Sequence, residues 1–189
     1  GTVWMDLLSG KIIFPDKCYK GMIRIGKDLG HFSSASNKTH LFLADNSKMI
    51  FHGKASFAKG CSIRLTHNAV FESFGNTRFG DDVRIMAENY ICIGENSGIT
   101  FGCQIIDTNF HYILDLETSS INRKAGKVII GANNWIGNRA SIMKNTVTPD
   151  WCIVGSGSLL NKNYGDESFI ILAGTPAKIV KRNKKRIYD

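Results

Sequence analysis

The chain has 189 residues and a mass of 20.9 kDa, with 43% hydrophobic, 10% aromatic and 21% charged residues, the size and mixture of one folded domain. Nineteen glycines and three prolines exclude a collagen-like or low-complexity chain, and no apolar run approaches the ~18 residues of a membrane-spanning helix. The net charge of +8 is concentrated in Lys178, Lys181, Arg182, Lys184, Lys185 and Arg186, which leaves the body nearly neutral and argues against a nucleic-acid-binding surface.

In chain order, Asp6-Leu7-Leu8 and Ile12-Ile13-Phe14 suggest a cap, so residues 1–40 are read as an N-terminal cap with irregular first coils. From about residue 41 apolar residues begin to recur at sixth positions: Phe57 and Ile63, then Phe79, Ile85 and Ile91, then Ile93, Ile99 and Ile105. The recurrence is strictest in Ile130, Ile136, Ile142, Thr148, Val154 and Leu160, with glycine following at Gly131, Gly137 and Gly155. A period of six fits neither an amphipathic helix nor an alternating strand. It fits a chain that turns a corner every six residues and points one aliphatic side chain inward per face. Three faces make a triangular coil of about 18 residues, and stacked coils make a parallel β-helix spanning residues 41–175. The glycines are read as relieving backbone strain at the corners.

From 107 to 127 the hexads stop and polar residues take over, marking a long inserted loop. Polar residues 161–167 and an apolar strand, Phe169 to Leu172, follow the last hexad. Residues 176–189 are read as a basic helix and tail, the helix starting near Ala177 with Ile179 inward and its lysines outward; Lys184, Lys185 and Arg186 read as solvated. Five cysteines without C-x-x-C spacing suggest free, mostly buried thiols in a reducing cytoplasm. No charged-then-apolar leader pattern opens the chain.

The stretch Ile130-Gly131-Ala132-Asn133-Asn134-Trp135-Ile136-Gly137, continuing to Val154-Gly155-Ser156-Gly157-Ser158, resembles the signature of hexapeptide-repeat acyltransferases. So does the closing Leu172-Ala173-Gly174-Thr175-Pro176-Ala177-Lys178. The resemblance implies an all-β, left-handed parallel β-helix, acetyl-coenzyme A as donor and a hydroxyl or amine as acceptor. Within Ile106-Asp107-Thr108-Asn109-Phe110-His111 it extends to the D-x-D-F-H segment of sugar and polysaccharide O-acetyltransferases, with Asn109 standing where an acid is common. It marks His111 as the general base that strips the acceptor's proton.

An imidazole accepts a proton near neutrality when its other nitrogen is oriented. Asp107, four residues earlier, is a candidate for that task and equally for capping the turn into the loop; Asp115 and Glu117 are alternatives. His31, His40, His52 and His67 are read as structural or surface residues. The resemblance also implies that Trp135 lines the pantetheine groove, the alternative being an exposed aromatic that stabilises a prism face. It places Asn138, Ser156, Asn161 and Lys162 against the coenzyme, and Lys178 and Lys181 on its phosphates. No histidine falls in the hexads of 130–160, so no metal site is expected.

The family assembles as trimers with sites between subunits. Phe71, Phe74 and Phe79, read as more than one coil interior can hold, point the same way. The function expected is acetyl transfer from acetyl-CoA to a sugar hydroxyl of a surface glycan or its precursor. An amino-sugar N-acetyltransferase is the near alternative, and a non-catalytic glycan- or membrane-binding β-helix the distant one. The basic tail suggests weak association with an anionic membrane surface.

Overall fold

The six-residue recurrence becomes one buried side chain per face of a three-sided prism. In the computed structural model, which describes residues 2–27 and 38–187, Ile130, Ile136, Ile142, Thr148, Val154 and Leu160 are all buried. They lie in turn on the second, third and first of three sheets, so successive residues of the hexad series point into one shared core.

The first face stacks seven strands, among them Thr2–Leu8, Lys38–Leu43, Arg84–Ala87, Gln104–Ile106, Ser141–Met143 and Leu159–Leu160. The second face has six, from Lys11–Ile13 through Tyr90–Ile93 and Lys127–Ile130 to Val147–Thr148. The third has eight and includes Gly98–Ile99, Trp135–Ile136 and Ile153–Val154. Within each face successive coils pair in parallel, which is the architecture of a parallel β-helix. Residues 2–27 add a further coil to all three faces, Thr2–Leu8, Lys11–Ile13 and Ile23–Lys27 each pairing in parallel with the next coil.

The coils are not equal. His40 lies beside Ser62 and Ser62 beside Arg84, 22 residues per turn; Arg84 lies beside Gln104, 20 on; Ser141 lies beside Leu159, 18 on. The longer coils enclose a wider interior, and it is filled by Phe51, Phe57, Phe71 and Phe79, all buried, with Phe57 and Phe79 stacked at 4.2 Å. The expectation of surplus phenylalanines is therefore corrected: Phe71 and Phe79 are core, and only Phe74 is exposed, its ring 4.4 Å from that of His52.

The corner glycines also need correction. Left-handed backbone recurs at Asn133, Arg139, Asn145, Trp151 and Gly157, with φ of 58°, 57°, 66°, 58° and 69°. Gly131 and Gly137 lie outside that set. A Cβ at Gly131 would stand 2.6 Å from the Pro149 backbone, and one at Gly137 would stand 2.6 Å from the Val154 carbonyl oxygen. Close approach of the next coil, not corner strain, excludes a side chain there.

The expected C-terminal helix is not formed. Ala177–Lys181 is a strand that turns back at Gly174–Pro176 and pairs antiparallel with Ile171–Gly174. A helix would leave the last strand's N–H and C=O groups unpaired at the edge, and the returning strand covers them. Lys184, Lys185 and Arg186 are also not a free solvated run. Lys184 donates its amide N–H to the Phe169 carbonyl at 2.8 Å, and Lys185 Nζ lies 4.2 Å over Trp151. Of the histidines left as structural, His40 pairs with Asp6 at 3.1 Å and His52 with Glu72 at 3.3 Å, while His31 lies outside the described residues.

Candidate active site

The inserted segment leaves the corner between the first and second faces, after Gln104–Ile106 and before Lys127–Ile130, as an arm ending in the hairpin of Ile113–Leu114 with Ile121–Asn122. Two backbone bonds close its neck, Asn109 N–H to the Lys124 carbonyl and Gly126 N–H to the Asp107 carbonyl, both 2.8 Å. Asp107 is fully buried, and its two carboxylate oxygens accept the amides of Glu88 (2.7 Å) and Asn89 (2.8 Å) on the coil before. Burial pushes its carboxyl above the usual range, partly offset by these amide donors. This is the turn-capping arrangement of its two readings; Asp107 staples the arm to the prism.

Glu88 completes the neck. Its carboxylate accepts the Thr108 hydroxyl and pairs with the Lys124 ammonium, while Thr108 Oγ1 accepts the Phe110 amide at 2.9 Å. Burial alone would raise the Glu88 carboxyl, but the hydrogen bonds and charge from Lys124 and Thr108 hold it below its usual range. At the tip, Asp115 Oδ1 accepts the amides of Glu117 and Thr118 at 2.9 Å each, so its role is to cap the hairpin turn. His111 is exposed on the outgoing limb of the arm. Among the described residues no side chain hydrogen-bonds its ring, so none of the three candidate acids orients it within one chain.

Beside the neck lies a cleft of about 790 Å³, floored by Ile129 and Val147 of the second face and walled by Asn109, Ile113 and Arg123 of the arm. His111 lies in the chain between the lining residues Asn109 and Ile113 and is not itself part of the lining.

The residues expected to hold a coenzyme fall into two groups. Asn161 and Lys162 are exposed at the corner that bears the arm, Lys162 Nζ lying 5.6 Å from the Tyr164 ring. The others lie elsewhere on the prism. Trp135 is on the third face beside Gly98 and Ile153, with the Arg186 guanidinium 4.8 Å over its ring. Asn138 and Ser156 bond to each other at the corner between third and first faces. Lys178 and Lys181 are exposed on the returning strand, and Arg182 pairs with Glu167 at 2.9 Å. Asn138 precedes Lys144, and Ser156 precedes Lys162, by six residues, a full prism face of roughly 20 Å at ~3.3 Å per residue. One chain does not bring the two groups together.

In sequence Glu88 offers itself as an alternative base and Arg186 as a solvated cation, whereas the structure makes Glu88 the partner of Lys124 and sets Arg186 over Trp135; Lys144 is not singled out by the sequence. Lys144 and Lys162 do share the corner register, 18 residues apart, and that was the one available signal.

No family model matches the chain. In sequence it is 27% identical over 168 residues to a Mycobacterium tuberculosis protein provisionally named as an acetyltransferase, covering 76% of this chain and 55% of that one. It is 25% identical over 138 residues to the Escherichia coli O-acetyl transferase WbbJ, provisionally assigned to lipopolysaccharide biosynthesis, covering 67% of this chain and 69% of the relative. The chain thus spans about half of the first relative's length. Among solved structures it resembles the polysialic acid O-acetyltransferase OatWY, with a TM-score of 0.67, 21% identity and coverage of 100% and 92%. The polySia-specific acetyltransferase NeuO matches with a TM-score of 0.63, 20% identity and coverage of 100% and 90%. These relatives bear out the resemblance to the hexapeptide-repeat acyltransferases. The structural matches establish the fold that positions the site.

Proposed function

We propose that the protein is an O-acetyltransferase that moves an acetyl group from acetyl-CoA to a hydroxyl of a sugar in a glycan or its precursor. The observation that carries this reading is an exposed His111 on an arm whose flanking residues Asn109 and Ile113 line a cleft and whose neck is stapled by Asp107 and clamped by Glu88, Thr108 and Lys124. Sequence relatives that bear acetyltransferase names support it. His111 takes the acceptor's proton as the hydroxyl oxygen attacks the thioester carbonyl. The new C–O bond forms, the C–S bond breaks, and the imidazolium returns the proton to the departing sulfur.

In this reading Trp135, Asn138, Ser156, Asn161 and Lys162 contact the coenzyme's arm, and Lys178 and Lys181 its phosphates. Two sets of groups on two corners form one site only if one copy's arm meets its neighbour's third face. We therefore propose a homotrimer with composite sites. The arm's exposed Tyr112, Leu114, Leu116 and Ile121, Leu116 at 87%, offer an apolar surface for that contact. Asp107 acts as a positioning residue for the arm.

The test is incubation with acetyl-CoA and a panel of sugars, following free thiol and acetylated product. Ester products support the proposal. Amide products from amino sugars assign N-acetylation instead, and thiol release with no acceptor on a broad panel overturns the reading.

A further inference from the structure

The cleft beside the arm has a one-sided chemistry. Its lining includes the amides of Asn89, Asn109, Asn122 and Asn145 and the cations of Arg123, Lys127 and Lys144, and among the described residues it includes no acid. Of the neck's two carboxylates, Glu88 is paired with Lys124 and Asp107 is buried against the amides of Glu88 and Asn89. Lys144 Nζ donates to the backbone carbonyl oxygen of Arg123 at 2.6 Å, which ties the Lys144 ammonium to the arm. Lys127 Nζ lies 5.7 Å from the ring of Tyr90, which holds it over the second face.

Amide side chains carry both donors and an acceptor, the complement of sugar hydroxyls. Ile113, Ile129 and Val147 supply the apolar patch that a pyranose C–H face covers. Three cations in a lining without an acid call for an anion on the same ligand.

We infer that this cleft is the acceptor subsite and that it selects an acidic saccharide, one bearing a carboxylate or phosphate held by Arg123, Lys127 and Lys144 while its hydroxyls meet the asparagine amides. The inference rests on the acetyltransferase reading and adds a substrate class to it. His111 belongs to the same arm, in the chain between the lining residues Asn109 and Ile113.

The experiment compares acetyl transfer to matched neutral, carboxylate-bearing and phosphate-bearing oligosaccharides by the wild type and an Arg123→Gln/Lys127→Gln double variant. An acidic acceptor is used with the higher kcat/KM, and the arm that prefers carboxylate or phosphate names the anion. The double variant raises the acidic acceptor's KM roughly tenfold or more, the worth of one or two charge-assisted hydrogen bonds, with kcat, the coenzyme's KM and the neutral acceptor's KM unchanged. Equal use of neutral and acidic acceptors by the wild type overturns the inference. So does a rise in the coenzyme's KM, which assigns the cations to the coenzyme's phosphates. If no acceptor on the panel is acetylated, the acetyltransferase reading fails on its own, and calorimetric binding of the acidic oligosaccharides to both proteins still decides. Binding lost in the double variant and weakened by added salt upholds the cleft, and absent wild-type binding overturns it.

Discussion

Arg139 and Trp151 hold the left-handed backbone conformation that Asn133, Asn145 and Gly157 take at neighbouring corners. Asparagine and glycine reach that region cheaply; a long or aromatic side chain does so at roughly 1–2 kcal/mol. Arg139 is exposed, so its substitution isolates the backbone effect. Arg139→Gly is expected to leave the urea midpoint unchanged or raise it, because relief of strain offsets the entropy of glycine. Arg139→Val is expected to lower stability by about 1 kcal/mol although it removes no buried atom. His111 is also exposed, and its role is tested in the opposite way. His111→Ala is expected to lower turnover by roughly 10²–10⁴-fold, about 3–5 kcal/mol in the barrier, with an unchanged unfolding midpoint. Near wild-type turnover in that variant would move the base elsewhere. Asp107→Asn replaces one of two amide-accepting oxygens by a donor facing an N–H. It should therefore lower both stability and turnover, measured by the same two assays.

At the scale of the arm, the Glu88 carboxylate is the clamp that titrates. Its folded value is depressed, so its contribution is fully present above the ordinary glutamate range and is lost as pH falls through the folded value. Hydrogen exchange of the Asn109 and Gly126 amides, which close the neck, should therefore accelerate on acidification below about 4.5. Glu88→Gln should show fast exchange there already at neutral pH, and unchanged protection in that variant would sink the clamp. Much of this arm was legible as an interruption of the hexads, but its clamp was not. Glu88 and Lys124 are distant in the chain and meet only because one coil stacks on the next. The spacing of Asp107 and His111 suggested contact, whereas the carboxylate turns inward to the preceding coil's amides. Hexads were clearest where a coil has 18 residues, and blurred where coils of 22 and 20 carry extra residues at their corners. The lysine-rich C-terminus with Ile179 inward read as a helix because nothing local reveals the open edge that a strand would cover.

Seen as a whole, the prism separates the groups a transferase would need, with the arm and Lys162 on one corner and Trp135, Asn138 and Ser156 on the third face and the corner beyond it. The proposed composite trimer makes a sharp expectation. His111→Ala and Trp135→Ala chains, each impaired alone, should regain part of the activity when unfolded and refolded together, because some interfaces then pair two intact edges. Failure to complement while sedimentation shows mixed trimers would put the whole site in one chain, and a fully active monomer would remove the trimer. The arm itself is nearly free of thermodynamic consequence for its scaffold. Gln104 meets Ser141 across a circuit of 37 residues, where Arg84 meets Gln104 across 20, and chain statistics put the extra closure entropy at about 0.5 kcal/mol. That is less than the ~0.8 kcal/mol of a single buried methylene. A lineage can therefore lengthen, shorten or exchange this arm while every rung of the solenoid stays in register.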